Sequence, residues 1–170
     1  MFDSQYLSGI FCGGGEMSVD ANIENGEVIV VAGDSTVDDA FWDGVPTSIY
    51  YHRHIRVPEL TGEIEYQFKL NGTRLYIRTM QYMLTTRPVG KEWNRANINF
   101  EVRSGSTVRV NSPDSLIQNG GWYPYQREAS VGYSVSLGAS FRIGVHYDGT
   151  NNDTSEADHW GQWEEIIRRG

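Results

Sequence analysis

Between Val131 and Tyr147 every odd-numbered position carries an apolar or aromatic side chain: Val131, Tyr133, Val135, Leu137, Ala139, Phe141, Ile143, Val145 and Tyr147. The even positions hold Gly132, Ser134, Ser136, Gly138, Ser140, Arg142, Gly144 and His146. Period two without a slip is the mark of a β-strand with one buried face. At about 3.3 Å per residue the run would reach roughly 55 Å if straight, far beyond the usual five or six residues. It must bend, coil or fold back, and Gly138 is the expected place, because a glycine inside a strand pattern marks a bulge or bend. The small even-numbered side lets another backbone, sheet or ligand come close, which favours a homo-oligomer.

The rest of the chain reads the same way. Asn25-Gly26 makes a turn, and Val28 to Ala32 is a continuous apolar run, as in an inner strand. Ile49 to Val57 alternates, with Ile49, Tyr51, Ile55 and Val57 expected inward and Tyr50, His52, His54 and Arg56 on the other side. Ile64, Tyr66, Phe68 and Leu70 alternate with charged neighbours, and Asn71-Gly72 then leads to Leu75 and Ile77. Asn-Gly between alternating runs is the strongest local hairpin signal. Ile98, Phe100 and Val102, followed by Ser104-Gly105-Ser106 and by Val108 and Val110, make a second hairpin. The C-terminal stretch from Ser155, with Trp160, Trp163, Ile166 and Ile167 on one side, fits a short helix capped by Ser155. The sum is about eight strands at spacings typical of an antiparallel β-sandwich, jelly-roll or Greek-key, with a closed β-barrel as the alternative.

Composition bounds the partners. The 170 residues suit a single domain, 1–170, with a core of its own. The one cysteine, Cys12, excludes an internal disulfide. A net charge of −8 without a basic stripe argues against nucleic acid. The triple glycine Gly13-Gly14-Gly15 lacks the Lys and Ser/Thr of a phosphate loop. No signal peptide is evident and no run is long enough for a membrane span, so a soluble protein is expected.

Three constellations could carry chemistry. The segment Trp122-Tyr123-Pro124-Tyr125-Gln126-Arg127 offers flat rings for stacking on a sugar, with Arg127 for its hydroxyls. His52 and His54, two apart on a strand, point the same way and could share a divalent metal with Glu59 and His146. His52, His54 and Glu59 are loosely similar to the paired-histidine motif of the cupins, a jelly-roll family whose members often bind metal. The glycine spacing around them departs from that pattern, and no second cupin motif surrounds His146. The loop from Asp148 to Glu156, with Asn151 and Asn152, is rich in oxygens that suit calcium.

These features order the functional expectations. First is a non-catalytic carbohydrate-binding, lectin-like sandwich using Trp122, Tyr123, Tyr125, Arg127, Asp148 and Asn151. Second is a viral or phage structural protein such as a capsid, decoration or tail component, whose partner is protein. Third is a metal-dependent jelly-roll enzyme built on His52, His54, Glu59 and His146.

Overall fold

A computed structural model describes residues 20–24, 27–31, 38–53, 61–85, 93–147 and 159–170, with backbone alone at 20–24, 27–31, 49–53 and 93–95. Two open sheets face one another, and neither closes into a barrel. The larger runs β1 (Asp20–Glu24), β2 (Glu27–Val31), β7 (Ser106–Val110), β6 (Trp93–Ser104) and β11 (Ala139–His146). β12 (His159–Trp160) and β13 (Glu164–Ile167) both pair with β11, and β8 (Leu116–Gln118) pairs with β6. The smaller runs β10 (Glu128–Gly132), β5 (Arg74–Leu84), β4 (Thr61–Asn71) and β3 (Thr47–Arg53), with β9 (Trp122–Pro124) also on β5. Pairing is antiparallel except between β2 and β7. The expected antiparallel β-sandwich is therefore the fold, with thirteen strands among the described residues where the sequence pattern resolves about eight.

Both expected hairpins form. β4 and β5 pair from Gly62 with Leu84 to Asn71 with Arg74, so the two-residue connection is Gly72-Thr73, one position beyond the expected Asn71-Gly72. Gly72 supplies the positive φ of 58° that a primed turn needs at its first central position. β6 and β7 close around Gly105, at φ 84°.

The core lies where the inner faces meet. Phe141 of β11 stacks on Tyr66 of β4 across the sandwich, ring centres 4.5 Å apart and planes at 18°, and on Phe100 of β6 at 5.6 Å. Gly62 has no room for a side chain, because a Cβ there would sit 2.7 Å from Val145 Cγ2 of the opposite sheet.

The run 131–147 is two strands. β10 belongs to the smaller sheet and β11 to the larger, and the chain crosses between them in a turn in which Leu137 N and Gly138 N both donate to Ser134 O. Gly138, at φ 64°, ends the turn at the position expected for the bend. The alternation hides the crossing, because Val131 and Ala139 are an even number of residues apart and both inner faces point at one core.

β9 and β10 lie end to end along β5, and the seam between them is filled by Thr79. Its Oγ1 donates to Tyr125 O at 2.6 Å and accepts from Arg127 N at 3.0 Å, and the side chain is fully buried. Thr79→Val keeps the shape but strands a carbonyl and an amide in the interior. The expected cost is about 2 kcal/mol, read as a lower urea midpoint at unchanged slope. An unchanged midpoint would show that the seam is held by the backbone alone.

Residues 159–170 of the C-terminal stretch form strand, not helix, the expected cap Ser155 lies outside the described residues, and no α-helix occurs among them. The reason is on the outer face of the larger sheet. Trp163 lies between the guanidinium groups of Arg103, at 4.2 Å, and Arg142, at 4.4 Å. Trp160 lies between Arg142, at 4.9 Å, and Arg109, at 4.8 Å. The five side chains form an alternating cation–π ladder. Beneath it, fully buried Glu101 takes Arg109 Nε at 2.7 Å on one oxygen and Arg142 Nε at 2.6 Å on the other. The two indoles are three residues apart, a spacing that also fits one side of a helix, but Gly161 weakens a helix, and pairing with β11 brings both rings over the arginines. Gly144 makes the docking possible, since a Cβ there would meet the Trp160 ring at 2.7 Å. The close approach expected on the small-residue side is thus made by the chain's own C-terminal segment at Gly138 and Gly144.

Candidate functional site

Strand pairing tells which side chains share a face, because residues directly opposite each other point the same way. On the smaller sheet Ile64, Tyr66, Leu75, Ile77, Tyr82 and Leu84 face the core. Glu63, Glu65, Gln81 and Met83 therefore face outward. Trp122 pairs with Met83 and Pro124 with Gln81, which puts both on that outer face.

One end of this face is covered. A 3₁₀ turn, Asp39–Trp42, lies over it, with the Phe41 ring 5.0 Å from Tyr76 and under the Lys69 ammonium at 4.3 Å. Trp42 Nε1 donates to Glu128 Oε1 at 3.0 Å, Arg78 pairs with Asp39 at 2.6 Å, and Gln67 Nε2 donates to Val45 O. The aromatic rings of this turn pack on the sheet, and one of its carboxylates, Asp39, meets a cation of the sheet.

Beyond the loop the face is open. A shallow cleft of about 290 Å³ is lined by Thr47, Glu65, Met80, Gln81 and Pro124. A β-bulge forms it: Glu65 pairs with Gln81 and Tyr66 with Thr79, so Met80 is an extra residue on β5. The bulge lets neighbouring Met80 and Gln81 line the same depression, as bulges do when they re-aim side chains. Glu65 Oε2 accepts from Gln81 Nε2, which fixes both heads at the cleft wall. Glu63 lies in the next pair along, opposite Met83, and partial burial pushes its carboxyl pKa up.

The four expected aromatic-segment residues separate. Trp122 is 41% exposed beside the open cleft. Tyr123 faces inward, stacked on Tyr82 at 5.7 Å, and its hydroxyl accepts from Asn119 Nδ2 at 2.5 Å. Tyr125 is buried, edge-on to Tyr82, and its hydroxyl donates to Ile98 O at 3.0 Å. It is a core residue and has no face for a ligand. Arg127 holds the Thr79 seam through its backbone. Asp148 and Asn151 lie outside the described residues.

Of the metal set, His54 and Glu59 lie outside the described residues. The other two stand on different sheets. Position 52 pairs with Gly62 and position 50 with core-facing Ile64, so β3 is paired in the opposite phase to the one expected. His146 is buried and follows Val145 on β11, where the alternate positions 140, 142 and 144 face outward. Among the described residues no group of three His, Cys, Asp or Glu side chains is placed to hold a metal. No helix among them is long and apolar enough to cross a membrane.

Sequence reasoning missed Thr47, Glu65, Met80 and Gln81. The alternation of Glu63, Glu65, Gln67 and Lys69 marks a wet face, but the bulge that turns it into a cleft has no local signal. No family model, curated protein or solved structure matches the chain.

Proposed function

We propose that the protein is a non-catalytic, lectin-like β-sandwich that binds a glycan across the open end of the smaller sheet's outer face. One juxtaposition carries this reading. A solvent-facing indole, Trp122, stands on the same short strand as Pro124, which lines a cleft bearing a carboxylate, an amide and a hydroxyl from Glu65, Gln81 and Thr47. The apolar face of a pyranose stacks on an indole, while its equatorial hydroxyls need both donors and acceptors, which those three side chains supply. The cleft is at the small end of the range of ligand sites, roughly 300 to 1,000 Å³, and so suits one sugar ring rather than a long chain. Two carboxylates at the site, Glu63 and Glu65, favour neutral or amino sugars over sialylated or sulfated ones.

A glycan array followed by calorimetry tests the reading. Trp122→Ala is expected to weaken binding about tenfold or more, equivalent to about 1.4 kcal/mol. The side chain is 41% exposed, so the variant also loses some packing, and binding is compared well below the melting temperature of both proteins. An array silent for folded protein, or binding indifferent to Trp122→Ala and Glu65→Gln alike, removes the proposal.

A further inference from the structure

We infer that the protein docks peripherally on anionic lipid through the end of the sandwich opposite its cleft. Three turns converge there. Tyr133 N donates to Thr73 O at 2.7 Å, joining the turn after β10 to the β4–β5 hairpin. Ser134 N donates to Ser104 Oγ at 3.3 Å, and Leu137 Cδ1 lies 3.1 Å from the Cβ position of Gly105, which brings in the β6–β7 hairpin. The segment after β13 is added by Gly170 N, which donates to Val135 O at 3.0 Å, and by the contact of Gly138 with Ile167–Arg169.

Among the described residues this tip combines two properties that are apart elsewhere. It carries three of the four exposed large hydrophobic side chains found among the described residues: Leu70 at 42%, Val135 at 61% and Leu137 at 49%. Its charge is also opposite to that of the molecule. Residues 70–74, 103–107, 132–138 and 167–170 hold Arg74, Arg103, Arg168 and Arg169, four of the 14 Lys and Arg, and none of the 22 Asp and Glu. Arg74, Arg168 and Arg169 are exposed. A chain of net charge −8 is repelled by an anionic surface in most orientations. An end like this one reverses the sign, and electrostatic attraction then presents the aliphatic side chains to the headgroup boundary.

The geometry favours lipid over protein. A stable protein interface takes about 800 Å² from each partner, with a pocketed apolar centre. Three aliphatic side chains on turn tips provide no such area. Insertion between headgroups needs no complementary pocket, and serines 104, 106, 134 and 136 around the tips are small and neutral.

The test is flotation of the full chain with vesicles of phosphatidylcholine alone or mixed with phosphatidylserine. Each arginine near such a surface contributes about fivefold, so the three exposed ones predict binding about a hundredfold tighter to the mixed vesicles. Added salt should weaken it. Arg168→Gln with Arg169→Gln should lose about twentyfold, and Val135→Ser with Leu137→Ser should lose most of what remains. All four positions are exposed, so these variants should melt with the parent. No flotation with mixed vesicles at low salt overturns the proposal, as does flotation that neither pair of substitutions changes. Sedimentation velocity supplies the last arm: a dimer that the serine pair abolishes would make the tip a protein interface and overturn the lipid assignment.

Discussion

Brought from pH 9 to pH 12, the protein is expected to unfold cooperatively, its tyrosines ionising together with the loss of strand signal. Among the described residues the fold makes four tyrosines harder to ionise. Burial pushes Tyr66 up to about 12, with the Glu164 carboxylate adding to it. Burial also raises Tyr82, against the backbone hydrogen bond from Ile117, and it raises Tyr125 and Tyr147 further. The sign follows from linkage. A group whose folded pKa exceeds its unfolded value near 10 contributes stability that is present below pH 10 and is lost as pH climbs towards the folded value. Above pH 10 the unfolded chain releases protons that the folded chain retains, so unfolding is favoured. Each such tyrosine withdraws about 1.4 kcal/mol per pH unit, so Tyr66, Tyr125 and Tyr147 together withdraw about 4 kcal/mol in the first unit above 10. Against a typical total of about 5–15 kcal/mol, that loss brings the midpoint close to pH 11 or 12. Tyrosinate absorbance and far-ultraviolet dichroism, followed through the same titration, check it. If all ten tyrosines ionised near pH 10 with the strand signal intact, the buried-hydroxyl account would be wrong.

Gly138→Ala is expected to be the most damaging single methyl group, at about 3–4 kcal/mol. A left-handed backbone costs an alanine about 1–2 kcal/mol. The added carbon would then sit 2.5 Å from Ile167 O and 3.0 Å from Arg169 N, both backbone atoms that no rotamer change can move. Relief requires residues 167–169 to shift away, at a strain cost of about 1–3 kcal/mol. Gly72→Ala is the matched control. It shares the conformation, at φ 58°, but nothing lies within 4 Å of its Cβ position, so about 1 kcal/mol is expected. Denaturant titrations of the two variants should therefore differ by 2 kcal/mol or more, and equal losses would show that the C-terminal segment yields freely.

How much of this was legible in the sequence depended on how local each signal was. The β4–β5 hairpin could be read because alternation and an Asn-Gly pair sit within twenty residues. Its register was one residue off because Gly72 serves equally well as the first or second turn position. The sandwich itself followed from strand spacing, yet the division of 131–147 between two sheets did not, because both halves answer to one core with one parity. The facing of β3 was ambiguous for a related reason: Tyr and His populate one side and Ile and Tyr the other, so hydrophobicity alone sets no phase. Trp122 and Tyr125, three residues apart, are indistinguishable as candidate stacking rings until bonding to β5 turns the second inward. The wall of the cleft depends on a bulge, and the burial of Glu101 on arginines 8 and 41 residues away. Those are facts of assembly, which neither propensity nor period encodes.

The stack of guanidinium and indole rings has a kinetic meaning. Its rungs come from positions 103, 109, 142, 160 and 163, so it joins residues up to 60 apart in the chain and requires the larger sheet to exist before either ring has anywhere to rest. Contacts made after the rate-limiting barrier leave the speed of assembly untouched and instead slow its reversal. As a contact made on a finished sheet, the stack is expected to act as a latch: weakening it should shorten the lifetime of a complete molecule while new molecules form as quickly as before.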